Sequence, residues 1–333
     1  MKLANPVILL FLLVLVVSCG EGPSAGPGGS GQFRVAAVFQ TAIEEPWDGV
    51  IHQACLRARD QLKVQYEFTE KVAAADFEKV LREYAERGFD LIVGDAFLAG
   101  EEPLRRVAKD YPKIAFAFGS EFKPAAPNLS VFDNWIHEPA YLCGVIAGRL
   151  TRTNTLGVVA AMPIAEVNRL VNAFRDGALS VNKNVKLKVA YIGSWFDPPK
   201  AKEAAMAQIE SGADLIFAER FGVYEACKEK KVLAFSNMYD QEKLAPGVIV
   251  TGPVWDMYPT IKHCIETVKS GAWAGVDLKE WSMMARGGAS LASFHGFEPK
   301  LPAGVMTLVN DLSVKIKSGA FRVPVDESKA TSK

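Results

Sequence analysis

Short apolar runs alternate along the chain with longer amphipathic stretches. The runs FRVAAVF (33–39) and FDLIVGDA (89–96) are rich in Val, Ile and Phe and are bounded by polar residues, which predicts buried strands. The stretches 47–62 and 76–87 space their apolar residues at helical intervals instead. Alternation of this kind is typical of a parallel sheet covered by helices.

The same alternation begins again in the second half of the chain. Further apolar runs occur at 155–162, 185–193, 213–219 and 231–237, with helical patterns between them. Two successive strand–helix blocks predict an α/β fold of two lobes, each a doubly wound parallel sheet. Ligands of such folds bind outside the carboxyl ends of the strands, so we expect the site in the cleft between the lobes.

The N-terminal segment predicts export and lipid attachment. Lys2 precedes an apolar run at 6–17, which is shorter than the about 20 residues that span a bilayer. The run ends in VVSCG, so we interpret 1–18 as a lipoprotein signal peptide and Cys19 as the lipidated residue. The alternatives are a signal peptide with an incidental cysteine and a plain membrane anchor. Residues 19–32, rich in Gly, Pro and Ser, then form a flexible tether.

Composition and motifs argue against nucleic-acid binding and against catalysis. Lys+Arg and Asp+Glu number 38 each, so the chain has no overall basic field for a nucleic acid. The nucleotide-binding glycine pattern and the nucleophile-elbow pattern occur only as GPGGSG (26–31) and GPSAG (22–26), inside the Gly/Pro/Ser-rich segment and away from any predicted strand and helix that either site requires. Zinc-protease motifs are absent from the sequence, and the four histidines show no metal-ligand spacing. We therefore expect neither an enzyme nor a cofactor or metal. The cysteines after Cys19 form no CxxC pair, which favours buried free thiols.

Four segments carry a resemblance to a known family: EEPWD (44–48), EPAYLCGVIAG (138–148), GSWFDPPK (193–200) and KSGAW (269–273). Together they resemble the basic membrane protein family of ABC-transporter substrate-binding lipoproteins, which includes purine nucleoside receptors. The resemblance implies a type I periplasmic-binding-protein fold, in which two lobes are joined by three hinge crossings. On that basis lobe 1 comprises 33–152 plus about 252–280, and lobe 2 comprises 153–251 plus about 281–325.

The resemblance also implies ligand-binding positions. The aromatic–polar pair of the first lobe falls on Trp47 and Asp48, where the family often has Phe-Asn, and the opposing ring falls on Trp195. Trp47 would stack on a ligand ring and Asp48 would accept its N–H groups. The alternative is that both residues only begin a helix, and that Trp195 packs on the lobe surface. The remaining candidates for the cleft are Asn237, Asp240 and Trp255.

Several positions depart from the nucleoside receptors. Ile136 stands where those receptors have an Asp, and the hinge segment expected to supply a Lys reads VWD at 254–256. Polar groups for a ribose are therefore fewer. These departures favour a free purine-like base or a flatter, more apolar molecule over a ribonucleoside.

The resulting hypothesis is a monomeric, lipid-anchored receptor on the periplasmic face of a membrane. It would capture a small aromatic ligand, a purine nucleobase or nucleoside first among them, and deliver it to an inner-membrane ABC permease. The alternatives are the same fold carrying a lipid- or sterol-like ligand for a non-ABC trafficking system, a sensor lipoprotein, and a hydrolase or nucleoside-processing enzyme.

Overall fold

The computed structural model describes residues 31–332 of the 333-residue chain. The predicted signal peptide, Cys19 and the tether up to residue 30 lie outside the described residues. Within the described part, no helix is long and apolar enough to cross a membrane. The four cysteines of this part are buried free thiols: Cys55, Cys143, Cys227 and Cys264.

The first lobe is built on a five-stranded parallel sheet. Its strands are β1 (Arg34–Val38), β2 (Gln65–Thr69), β3 (Leu91–Asp95), β4 (Ala115–Gly119) and β5 (Leu129–Phe132). They lie in the order β2-β1-β3-β4-β5 and are all parallel. The intervening helices are α1 (Pro46–Leu62), α2 (Phe77–Glu86) and α3 (Glu101–Asp110). Strands β3 and β4 are buried along their whole length, as their apolar runs predict.

The second lobe repeats this arrangement with four strands. After α4 (His137–Leu150) come β6 (Thr155–Ala160), α5 (Ala165–Val181), β7 (Lys186–Tyr191), α6 (Pro198–Glu210), β8 (Leu215–Ala218), α7 (Val223–Lys230) and β9 (Leu233–Phe235). The strand order is β7-β6-β8-β9, again all parallel. Two doubly wound parallel sheets confirm the predicted fold class.

The C-terminal part of the chain joins the lobes. It contains β10 (Pro253–Trp255), α8 (Tyr258–Lys269), β11 (Ala289–Leu291) and α9 (Val305–Lys317). β10 and β11 pair as an antiparallel ribbon, α8 packs on α1 of the first lobe, and α9 packs on α4. Three stretches of the described chain thus pass between the lobes. They are the segment 133–136, which links β5 to α4, and the two strands of the ribbon, β10 and β11.

Helix α4 lies against α5 of the second lobe, although the sequence analysis placed residues 137–150 in the first. Glycines allow this close approach: a Cβ at Gly144 would lie 2.0 Å from the carbonyl oxygen of Phe174, and one at Gly177 would lie 2.0 Å from that of Tyr141. The sequence shows a strand–helix alternation but not which sheet a helix covers. The small residues on the facing surfaces decide that choice here.

A buried arginine of α5 holds the first passage between the lobes. Arg169, whose side chain is 2% exposed, forms ion pairs with Asp133 at 2.5 Å and with Glu327 at 2.8 Å. Its guanidinium also lies 3.8 Å from the ring centre of Trp135. The guanidinium of Arg169 therefore joins the first passage, helix α5 and the C-terminal segment. It needs these carboxylate partners because an isolated buried charge is very unfavourable.

The contact between α4 and α5 makes Gly177→Ala destabilising. Alanine adds about 1 kcal/mol of helix propensity over glycine, but the helices must separate to accommodate a Cβ that meets backbone atoms. Overpacking costs about 1–3 kcal/mol and occasionally more, so we expect the free energy of unfolding in urea to fall by about 1–2 kcal/mol. Gly31→Ala is the control, because its Cβ would meet nothing within 4 Å. Equal unfolding free energies for the two variants would contradict this packing.

His137, at the start of α4, should remain neutral well below neutral pH. Burial, followed by the positive charge of Arg169, lowers its pKa to about 4. The unfolded chain takes up this proton near pH 6.5, so the contribution of His137 to the free energy of unfolding is complete above about pH 6.5. It declines as the pH falls from there to about 4. Histidine NMR titration checks this, with the signal assigned by its loss in His137→Gln; a midpoint near 6.5 would contradict it.

Candidate ligand site between the lobes

A cavity of about 410 Å³ lies where the carboxyl ends of the two sheets face each other. The loops after β1 and β3 form its wall on the first lobe. The loops after β6, β7, β8 and β9 form the wall on the second. The first lobe contributes Thr41, Ala42, Glu44, Glu45, Pro46, Trp47, Asp95, Phe97 and Leu98. The second contributes Ile164, Glu166, Trp195, Phe196, Arg220 and Met238. The site is thus shared between the lobes, as the fold class predicts.

The position of Trp47 follows from how α1 begins. Glu45 caps the helix, because its Oε2 accepts the backbone N–H groups of Trp47 at 2.8 Å and Asp48 at 3.3 Å. The indole stacks on Phe132 at 5.8 Å between ring centres and lies over the end of β4. Gly119 at that end permits the contact, since a Cβ there would lie 2.0 Å from the indole. Trp47 is therefore a half-buried residue that packs against the end of the first sheet.

Trp195 stands on the opposite lobe, in the loop between β7 and α6. The Arg220 side chain holds this loop: it donates to the carbonyl of Trp195 at 3.0 Å, and its guanidinium lies 5.3 Å from the indole centre. Helix α6 begins directly afterwards, where Asp197 accepts the N–H of Lys200 at 3.1 Å. Phe196 is 64% exposed at the mouth of the cavity. The two lobes thus each present an indole to the same space.

Two buried carboxyl groups line the cavity. Asp95 ends β3 and is 7% exposed; its Oδ1 accepts the backbone N–H of Phe97 at 2.8 Å. Glu166 lies in the first turn of α5 and is 6% exposed; its Oε1 accepts from Asn134 at 2.6 Å. Desolvation raises the pKa of both groups, with a further rise at Asp95 from the charge of Asp48. Each is therefore a strong hydrogen-bonding group held in an apolar surrounding.

The cavity wall also contacts two of the passages between the lobes. Asn134, in the first passage, donates to Glu166 and lies 3.4 Å from the sulfur of Met238. Met238 has φ 72°, an uncommon left-handed conformation for a non-glycine residue. Its carbonyl accepts the backbone N–H of Trp255 in β10 at 2.8 Å. A ligand that displaces Glu166 or Met238 would therefore act directly on the segments that join the lobes.

A second cavity of about 560 Å³ adjoins the first and shares Glu44, Glu45 and Pro46 with it. Its remaining wall comes from α1, from Tyr239 and from residues around Trp255. Arg57 and Asp256 pair at 3.2 Å along this wall. The N-terminus of α1 therefore lies between two adjoining spaces of the cleft.

The structure places the six predicted ligand positions in different surroundings. Trp47 and Trp195 line the cavity of about 410 Å³, and Trp255 lines the adjoining one. Asp48 is 1% exposed behind the wall, where its Oδ2 accepts the backbone N–H and the hydroxyl of Thr41. The other two positions also have protein partners. Asn237 is buried beside Glu219, and Asp240 pairs with His295 at 2.7 Å.

Sequence reasoning did not single out Asp95, Glu166, Phe97 or Arg220, which line the cavity. A signal for two of them was present: Asp95 and Arg220 follow buried apolar runs, at the carboxyl ends where ligands of parallel sheets bind. Glu166 had no such signal, because one acidic residue in the first turn of a helix is common at any helix start. Among the described residues, no cluster of His, Cys, Asp and Glu has the arrangement of a metal site.

Comparison with known proteins identifies the chain's relatives. It is 34% identical to a putative ABC transporter glucose-binding protein of Haloferax volcanii over 76% of this chain and 64% of that protein. It is 31% identical to a purine-binding protein of Brucella abortus over 77% of this chain and 72% of that protein. The chain thus spans somewhat under two thirds of the haloarchaeal relative.

A solved structure and a family model agree with these relatives. An ABC transporter solute-binding protein of Conexibacter woesei superposes with a TM-score of 0.72 at 22% identity, over 88% of this chain and 99% of that one. This likeness confirms the type I solute-binding-protein fold. Residues 34–281 match the model for the PnrA-like ABC transporter substrate-binding proteins. These relatives are solute-binding proteins and not enzymes. The chain belongs to the Bmp family of PnrA-like ABC transporter substrate-binding proteins.

Proposed function

We propose that the protein is a lipid-anchored receptor that holds a flat aromatic ligand, a purine nucleobase or nucleoside first among them, between its lobes. The observation that carries the proposal is the presence of Trp47 and Trp195, from different lobes, in the wall of one cavity. Stacking of a base on an aromatic ring contributes about 1–3 kcal/mol per base. A ligand held by both indoles gains that energy only where the two lobes are close together.

The polar groups of the cavity suit the edge of a nitrogen heterocycle. Asp95 and Glu166 accept hydrogen bonds from ring or amino N–H groups, and Arg220 donates to a ring nitrogen or carbonyl. Such buried groups favour a ligand that pairs with them, because analogues leave them unpaired. The volume of about 410 Å³ is within the range of about 300–1,000 Å³ that is usual for small-molecule pockets.

One of the two relatives is named a glucose-binding protein and the other a purine-binding protein. The aromatic and apolar wall favours the purine, because a hexose carries hydroxyl groups around the rim of its ring and needs polar partners for most of them. The aromatic ring faces and the thioether of this wall offer no such partners; they belong to Trp47, Phe97, Trp195 and Met238. Glucose is the second candidate, since the haloarchaeal relative carries that name.

Delivery would follow from closure of the lobes. A ligand that contacts both lobes binds the closed state more tightly and shifts the population toward it. The closed pair of lobes would then be recognised by an ABC permease, as the membership of the chain in a substrate-binding family supports. Lipid attachment at Cys19 and the tether that follows it would keep the receptor at the outer side of that membrane.

Replacement of Trp195 should weaken purine binding without unfolding the protein. Trp195 lies in a loop and is half-exposed, so Trp195→Ala removes a stacking face at little cost to the core. The expected loss is about 5- to 150-fold in the affinity for adenine or guanosine, from about 1–3 kcal/mol of stacking. Titration calorimetry measures it, and urea unfolding confirms that the fold persists.

Trp281→Phe is the matched control, because that indole stacks on His263 at 4.1 Å and does not line the cavity. Purine affinity should be unchanged in this variant. If glucose binds the wild-type protein and purines do not, the sugar candidate replaces the purine. If purines bind equally well to wild type and Trp195→Ala, the proposed stacking is wrong.

A further inference from the structure

We infer that the ligand of this cavity carries a positive charge on or next to its aromatic ring. The inference rests on the proposed function, in which an aromatic ring lies between Trp47 and Trp195. It narrows that ring to one with a positive charge, such as a purine that is alkylated on a ring nitrogen, in preference to a neutral purine. Its basis is an excess of buried carboxyl groups, on both lobes, that the protein does not pair with cations of its own.

The cavity and its immediate surroundings contain more acidic than basic groups. Eight carboxyl groups are found there with the guanidinium groups of Arg169 and Arg220: Glu44, Glu45, Asp48, Asp95, Asp133, Glu166, Glu219 and Glu327. Both arginines are already paired: Arg220 binds Glu219, and Arg169 binds Asp133 and Glu327. The other five carboxyl groups are therefore left without an ion pair among the described residues: Glu44, Glu45, Asp48, Asp95 and Glu166.

Asp95 and Glu166 meet the ligand space directly. Each lines the cavity and is more than nine-tenths buried, with exposed fractions of 7% and 6%. Each has one carboxyl oxygen in a hydrogen bond with the protein, to the N–H of Phe97 and to the amide of Asn134. The second oxygen of each has no partner in the described chain and reaches accessible space. Asp95 belongs to the first lobe and Glu166 to the second, so a ligand would lie between them.

The energetics of this arrangement favour a cation. Carboxylates that are buried without a partner are costly, and neighbouring carboxylates repel each other. Accordingly, burial and the nearby acidic groups raise the pKa of Asp95 and Glu166. A positive ligand removes both costs, while a neutral donor removes only part of them and an anion increases them.

The aromatic wall acts in the same direction. A cation over the face of Trp is attracted by the ring quadrupole, and this attraction is largest in a desolvated site. The same cavity is lined by the two carboxyl groups and by three aromatic rings, Trp47, Phe97 and Trp195. The chemistry recognised is therefore a flat ring with a protonated, amidinium or quaternary nitrogen.

A pair of closely matched probes tests the charge. The 1-methylquinolinium cation and neutral 4-methylquinoline have the same two-ring skeleton and one methyl group each, and they differ in net charge. In titration calorimetry of the full-length protein, in slightly alkaline buffer, we expect the cation to bind on the order of 10- to 100-fold more tightly. Equal affinities, or tighter binding of the neutral probe, would overturn the inference while leaving the stacking site intact.

Two variants locate the charge that is recognised. Asp95→Asn and Glu166→Gln keep the shape of the side chains, and each should reduce the preference for the cation over the neutral probe by about 10-fold. Asp110→Asn, an exposed carboxyl group paired with Arg82, is the control and should change nothing. A preference that survives both cavity variants would place the charge recognition elsewhere and overturn the inference.

The outcomes also separate this inference from the proposed function. If the cation keeps its preference in Trp195→Ala with undiminished affinity, charge selection holds and the stacking proposal fails. If neither probe and no purine binds to the wild-type protein, both proposals fail together.

Discussion

The geometry of the molecule depends on two parallel sheets that present their carboxyl ends to each other. In a parallel sheet all loops that follow strands leave from the same edge, so each lobe concentrates its functional side chains on one side. The three passages of the described chain between the lobes keep these edges facing each other across the cleft. Trp47, Asp95, Trp195 and Arg220, which are far apart in the sequence, therefore meet around a single space.

The same arrangement couples the site to the joints between the lobes. Glu166 lines the cavity and holds Asn134 of the first passage, while Met238 lines it and holds Trp255 of the second. Since the residues that line the cavity also make these contacts, we expect occupation of the cavity to be coupled to the relative position of the lobes. In a receptor whose lobes close around its ligand, residues shared in this way couple ligand binding to closure.

The buried charges show how a binding site differs from a core. The core of the first lobe is filled with Phe, Val, Ile and Ala, and strands β3 and β4 are buried throughout. The cleft instead retains carboxyl groups whose pKa values are raised by desolvation. Buried carboxyl groups without an ion pair do not stabilise the fold, in keeping with the proposal that they pair with a ligand.

The sequence by itself determined the alternation of strands and helices, the two-lobe α/β class and the family, because local periodicity and contiguous motifs carry that information. It also indicated Trp47 and Trp195 as facing rings, through the segments EEPWD and GSWFDPPK. Only the tertiary structure decided that α4 packs on α5, that Asp48 and Asn237 are enclosed by protein partners, and that Asp95 and Glu166 line the cavity. The physical reason is that burial and pairing depend on residues distant in sequence, and the chain's local pattern does not state which of them will meet.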